Sequence, residues 1–265
     1  MLGLLIVAAA GASAGYFSYQ AWGLGWGITC GIFSLLLAWV VLSLILRAAI
    51  NRRQAAIQEI MQAAQNKINR QIEFFQRRQQ SDMNGIRQTV EKIQFDAIRQ
   101  SLAETEKFRG LYPWNPMLHR QINAMKLQLY YQLRDYAKVD ELLPRALLLD
   151  VHSLAIKLVR MYRKEDAKLD KFFHLRCGRM KGENGAFIAS VYAWIKIRQG
   201  DAGKALEALR RAEKSSDNPT LLENIDRLSN NKVKHFSNSG FGDMWYALAL
   251  EEPKIKRQRP SMRGY

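Results

Sequence analysis

No charged residue occurs among the first 46 positions of this chain, and all 40 Lys and Arg and all 24 Asp and Glu come after them. Such segregation sets the solvent before it sets the fold. Residues 2–19 and 28–46 form two uncharged, mostly apolar runs, each close to the roughly 20 residues that a helix needs to cross hydrocarbon. Between them, "QAWGLGWG" is short and Gly-rich and carries Trp22 and Trp26, whose amphipathic rings suit a membrane interface. The expectation is a transmembrane helical hairpin over 1–46. Arg47, Arg52 and Arg53 follow at once and mark the return to a cytoplasmic, aqueous face. Both termini would then be cytoplasmic, in a bacterial-type inner membrane.

Other readings of these residues exist. The small residues of "AGASAG" suit a signal-peptidase site, but no basic residue stands near Met1 and a second apolar run follows directly. One long tilted or broken helix is opposed by Gly23, Gly25 and Gly27. Gly11 with Gly15, and Gly23 with Gly27, are GxxxG pairs that let helices approach closely, either between two copies of the chain or within one hairpin.

The water-facing remainder carries the whole net charge of +16. Two cysteines, Cys30 and Cys177, make no disulfide framework and fit a reducing compartment. With 17 Gly and 6 Pro, and long stretches rich in Ala, Leu, Gln, Lys and Arg, intrinsic preference favours helix nearly throughout.

Residues 47–110 read as a helical stalk or coiled coil. From Ile57 through Met61, Ala64, Ile68, Ile72 and Phe75 to Met83, Ile86, Val90, Ile93 and Ala97, apolar residues recur at helical spacing, with polar Gln79 in the series. The stripe needs a cover. A continuous helix here would be a spacer of roughly 80 to 90 Å at 1.5 Å per residue. Alternatively the helix breaks near "QQSDMNG", where Ser81, Asp82 and Asn84 are good caps, and folds back.

"YPWNP", Tyr112 to Pro116, disfavours helix before each proline and marks the expected start of a domain over 111–252. Beyond it, segments of about a dozen residues pair across turns at Asp135, Asp166 and Asp201, close to the repeat lengths of stacked helical hairpins. The third pair resembles the tetratricopeptide repeat: "QGD" at 199–201 is similar to its inter-helix turn, Ala205 and Ala212 to its small positions, Leu209 to its large packing position and Pro219 to its terminal proline. The first pair is similar at Leu127, Tyr131, Tyr136 and Ala146 but departs at Pro144. The second lacks the alanines and offers Phe172 and Phe173 instead. Two spans before such repeats are a plan similar to that of HemY-like membrane proteins. The expected fold class is therefore all-α: two transmembrane helices, a long stalk and a tetratricopeptide-like α-solenoid. Phe241, Trp245 and Leu248 would cap the stack, in a short helix capped by Asp243, or that segment would occupy the binding groove itself.

No GxSxG, HExxH, Walker-type loop or paired CxxC is present, so no enzyme chemistry is expected. Asp170, His174 and Cys177 share a helical face without forming a recognised closed metal set, and neither a metal nor a cofactor is expected. What the resemblance implies is a protein-interaction scaffold or adaptor. Its groove would be lined by Tyr131, Tyr162, Arg163, Trp194 and Arg198, and its partner would present a peptide or an acidic C-terminus to the planar donors of Arg. Arg47, Arg52 and Arg53, with Lys254, Lys256, Arg257 and Arg259 of the basic tail 253–265, would contact anionic lipid. The alternatives are a membrane tether for nucleic acid, for which no recognition motif is present, and a purely structural homo-oligomer held by spans and stalk.

Overall fold

The computed structural model describes residues 2–77 and 83–252; every regular element among them is helical and none is a strand. Two compact units divide the chain, Met1–Leu147 and Leu148–Tyr265. The expected boundary at Tyr112–Pro116 is not where the division falls.

In the first unit, α1 (Leu2–Trp22) and α2 (Leu24–Arg77) are separated by Gly23 alone. Its φ of +87° is a backbone state that costs other residues a steric clash and costs glycine none. The two helices run antiparallel with their glycines face to face. A Cβ added at Gly15 would lie 3.1 Å from the Gly27 carbonyl oxygen, and one at Gly31 would lie 3.3 Å from the Gly15 Cα. Of the two GxxxG motifs, Gly11 and Gly15 serve close approach within the hairpin; in the other, Gly23 makes the turn, and Gly27, together with Gly31, meets Gly11 and Gly15. Ser34 Oγ adds a hydrogen bond to the Ala10 carbonyl at 3.4 Å.

Large apolar side chains cover the outside of this hairpin, with Phe33 68% exposed and Trp22 and Trp26, beside the turn, 70% and 62% exposed. Among the described residues one helix, Leu24–Phe75, is long and apolar enough to cross a membrane, and none of its apolar window is buried in the protein. Two such helices were expected.

α2 continues without a break through the boundary at Arg47 and spans about 80 Å at 1.5 Å per residue. It does not act as a spacer, because α3 (Met83–Glu106) packs back against it. Ile57, Ala64 and Ile68 of α2 and Ala97 and Ile98 of α3 are buried, so the apolar stripe covers itself after reversing direction. Ile72 stays exposed, and Gln79 lies outside the described residues. A 3-10 turn, Lys107–Leu111, then delivers Phe108 into a core with Ile57, Leu118 and Ile122, flanked by Ile50, Leu111 and Tyr112. The chain has therefore returned to the first turns of α2 beyond the apolar run. α4 (Leu118–Gln132) and α5 (Tyr136–Leu142) complete the unit, and α5 stops two residues before Pro144.

The second unit holds α6 (Val151–Arg163), α7 (Leu169–Phe172) with a following π turn (Phe173–Cys177), α8 (Gly182–Arg198), α9 (Ala202–Glu213), α10 (Pro219–Ser229) and α11 (Asp243–Tyr246). Ala186, Ala189 and Ala193 of α8 pack with Ala205, Leu209 and Ala212 of α9 and with Leu221 and Leu228 of α10. Small residues on both α8 and α9 let their backbones approach. Asn218 caps α10, its Oδ1 accepting from Thr220 N at 3.0 Å, with Pro219 in the first turn where a missing N–H costs nothing. The segment after α10 is pinned by buried amides: Asn224 Nδ2 donates to Asn238 Oδ1 at 3.0 Å, and Asn238 Nδ2 donates to the Ser190 carbonyl at 2.9 Å.

The three helix-to-helix turns follow one rule. Arg134, Glu165 and Gly200 have φ of 60°, 53° and 83°, and the aspartate after each bonds back over five residues, Asp135 N to Tyr130 O, Asp166 N to Met161 O and Asp201 N to Lys196 O. Asp135 and Asp201 then cap the next helix, each side chain accepting a backbone N–H from within it, Lys138 at 3.1 Å and Lys204 at 3.0 Å, whereas Asp166 accepts from Lys168, just before α7, at 2.8 Å. Helix ends and starts are satisfied together. The second helices are unequal, however. α5 has 7 residues and α7 has 4, against 12 in α9, so the expected pairs of a dozen residues hold for the third hairpin only.

Candidate functional site

Two of the aromatic positions expected to line a groove, Tyr162 and Trp194, meet in the second unit, where Trp194 also shares one carboxylate with Trp245. Trp194 stands near the end of α8, and Trp245 on α11 meets it edge to face with ring centroids 5.9 Å apart. Tyr162, in the last turn of α6, approaches Trp194 from another side at 5.9 Å. Trp194 Nε1 donates to Glu251 Oε1 at 2.7 Å, and Trp245 Nε1 donates to Glu251 Oε2 at 3.0 Å. One carboxylate thus bridges two indoles. Both rings would otherwise bury a donor, which is costly when left unpaired. The exposed Arg198 guanidinium lies over Trp194 at 5.0 Å from the ring centroid, a cation on the face of the ring's negative quadrupole.

The α11 segment is thereby built into the unit. Trp245 is fully buried, Leu248 nearly so, and Phe241 packs on Phe187 at 5.5 Å. α11 is a single turn preceded by Gly242 with φ of +56°; Asp243 is its first residue and not its cap. Trp194 is 6% exposed, so the protein's own C-terminal segment covers it. Arg163 is exposed at the end of α6, in the place that Arg198 holds on α8. Tyr131 belongs elsewhere: it lies in the first unit, buried, with its ring against Tyr136 at 5.6 Å. By turn geometry Tyr131 and Tyr162 are equivalent, each four residues before the turn aspartate. Trp194 lies a turn earlier in its helix, which is where the equivalence drawn from sequence slipped.

A second polar cluster was not foreseen. Lys196, buried on α8, pairs with Asp170 of α7, which also accepts from Tyr192 at 3.1 Å and from Lys204 at 3.2 Å. Burial alone would raise the Asp170 pKa, but the hydrogen bonds from Lys196 and Lys204 outweigh it and hold the carboxyl below its ordinary value. Burial, reinforced by the Asp170 charge, pushes the Tyr192 phenol up. The Tyr192 ring stacks on Phe173 at 3.8 Å, so the cluster fastens the α7 and π turn to α8.

Asp170 is thereby engaged away from His174 and Cys177. His174 Nδ1 lies 3.4 Å from an Arg211 nitrogen, and burial pushes the Cys177 thiol up to about 12, which keeps it protonated and inert. Among the described residues no three His, Cys, Asp or Glu gather in a way that would hold a metal ion.

Of the basic residues expected to meet lipid, Arg47 and Arg52 are exposed. Arg53 turns inward, its guanidinium 5.8 Å from the centroid of the buried Phe108 ring. Lys254, Lys256, Arg257 and Arg259 lie outside the described residues. Compared with known proteins, the chain matches no family model, no curated protein and no solved structure.

Proposed function

We propose that this chain is a membrane-anchored interaction scaffold. α1 and the first part of α2 cross the bilayer as an antiparallel pair, both termini face the cytoplasm, and the helical hairpins of the second unit, which are tetratricopeptide-like, receive an acidic segment of a protein partner. What supports the anchor is the uncharged stretch 1–46 with its exposed apolar side chains and the outward Arg47 and Arg52 just beyond it. What supports the acidic partner is the seat of Glu251: a carboxylate fits between two indole donors beside an exposed Arg198. Glu251 is then an internal stand-in for the partner's carboxylate, and Trp245 and Leu248 remain in place when it is exchanged.

The test is binding of a labelled acidic peptide to the full chain in nanodiscs. Glu251→Ala empties the seat and is expected to tighten capture several-fold; Trp194→Phe, which keeps the ring and removes the N–H, and Arg198→Ala are expected to weaken it. Unchanged capture in all three variants contradicts the groove. A second reading, contact of basic residues with anionic lipid, is favoured by Arg47 and Arg52, each worth about 1 kcal/mol near a charged surface. It is separated from the first by the salt dependence of vesicle binding.

A further inference from the structure

The proline-bracketed turn Tyr112–Pro116 lies within the first unit, and its position bears on the membrane reading, on which the following rests. A Cβ added at Gly3, in the first turn of α1, would lie 2.9 Å from Leu42 Cδ2, 3.4 Å from the Trp114 carbonyl oxygen and 3.9 Å from Trp114 Cε3. Trp114 is therefore level with Leu42, inside the uncharged run and about 7 Å short of Arg47 at 1.5 Å per residue of α2. That is the depth of a headgroup-to-acyl boundary.

The turn is suited to that depth. Trp114 N and Asn115 N both donate to the Leu111 carbonyl, at 3.1 and 3.3 Å, and Asn115 Oδ1 accepts from Met117 N at 3.0 Å. Pro113 and Pro116 bring no N–H at all. A loop that has satisfied its own donors loses little where water is scarce. Its apolar side chains face outward, with Met117 47% exposed and Trp114 partly exposed, while Tyr112 packs inward beside Ile50. An exposed Met beside a Trp, on a turn level with a membrane-depth residue, has the surface of an interfacial anchor.

We infer that the turn Tyr112–Met117 is a third membrane-contacting element, which seats Trp114 and Met117 in the lipid interface beside the start of α1 and holds the first unit down on the bilayer. The occupant of this surface is the same bilayer that α2 crosses. The fold-back of α3 is what makes the arrangement available, since it returns residues 108–117 to the foot of α2.

The test uses spin labels in the full chain with Cys30→Ala, in nanodiscs of phosphatidylcholine and phosphatidylglycerol; the fully buried Cys177 is left in place. Labels at Leu37→Cys and Gln58→Cys, both on α2, serve as a depth ruler for a label at Trp114→Cys. Collisions with oxygen relative to a water-soluble nickel chelate are expected to rank 37 above 114 and 114 several-fold above 58. A label at 114 as water-accessible as that at 58, with 37 in lipid, overturns the inference and leaves the anchor standing. Water-like values at 37 as well would overturn both. Should Trp114→Cys misfold, brominated-lipid quenching of tryptophan fluorescence in Trp114→Phe tests the same contact: a fall in the quenched fraction is expected, and a quenching profile identical to that of the parent chain contradicts insertion.

Discussion

α2 touches α1 along one part of its length and α3 along another, and the two contacts are made of different materials. Against α1 the partners are Gly11, Gly15, Gly27 and Gly31, with backbone nearly on backbone. Where α2 and α3 pack, the buried residues are Ala64, Ile68, Ala97 and Ile98, whose side chains fill the contact. In water, burying an isoleucine is itself the driving force, at about 25 cal/mol per Å² of apolar surface. In lipid that gain vanishes, since a neighbouring helix is no more apolar than the tails it displaces, and close approach and packing must hold the pair. On the proposed membrane reading, one helix records a change of solvent in its choice of partner residues.

The contrast breaks first on the water side. Ile98→Ala empties a fully buried site and is expected to cost about 3 kcal/mol in the first unit, read by denaturant unfolding of the α2–α3 region. The α1–α2 contact, read as disulfide trapping between Ala10→Cys and Ser34→Cys in a Cys30→Ala background, is expected to be unchanged. Gly15→Leu is the converse: overpacking against the Gly27 carbonyl is expected to cost about 2 kcal/mol and to abolish trapping while leaving α2–α3 intact. Equal trapping in parent and variant contradicts a glycine-dependent contact.

Acid separates the uncharged hairpin from the second unit further. The first 46 residues carry no Asp, Glu, His, Lys or Arg, so trapping is expected to be independent of pH between 3 and 7, where about 3.9 is the ordinary Asp value and about 6.5 that of His. The second unit does titrate. Burial depresses the His152 pKa, so the unfolded chain binds the extra proton first and stability falls as pH drops below the ordinary histidine range. Asp170, held below the usual carboxylate range, contributes stability above that range that is lost as pH falls through its folded value. Asp170→Asn is expected to remove the second of these two acid transitions, as followed by circular dichroism. The smallest effect concerns the turns. Glu165→Gly relieves a left-handed residue and is expected to stabilise the second unit by about 0.5 kcal/mol, whereas Gly23→Ala imposes the same strain and is expected to cost about 1 kcal/mol.

Much of this was legible because it is local. Helical periodicity announced the stripe from Ile57 to Ala97, the spacing of Asp135, Asp166 and Asp201 announced three turns of one backbone geometry, and the uncharged start announced helices with exposed apolar side chains. What escaped was set by long-range pairing. The stripe reads the same whether a helix is straight or folded back, since self-coverage depends on a reversal rather than on the pattern. Glu251 sits 57 residues from the indole it satisfies, and "LEEP" reads locally as a helix end. Lys196 did leave a trace, a lone cation in "VYAWIKI" four residues after Tyr192, on the face where both meet Asp170. Arg53 looked like its neighbour Arg52, and only the placement of Phe108 turns it inward.

Everything said of the returned core and the Tyr112–Met117 turn depends on α3 lying back along α2. The direct measurement is the distance between spin labels at Glu59→Cys and Gln100→Cys, two positions that line one groove between these helices, in the full chain in nanodiscs. A fold-back places the labels within about 20 Å, given helix axes roughly 8–10 Å apart. A distribution centred near 60 Å, the length of about 41 residues of continuous helix, would mean an extended stalk and would contradict the account.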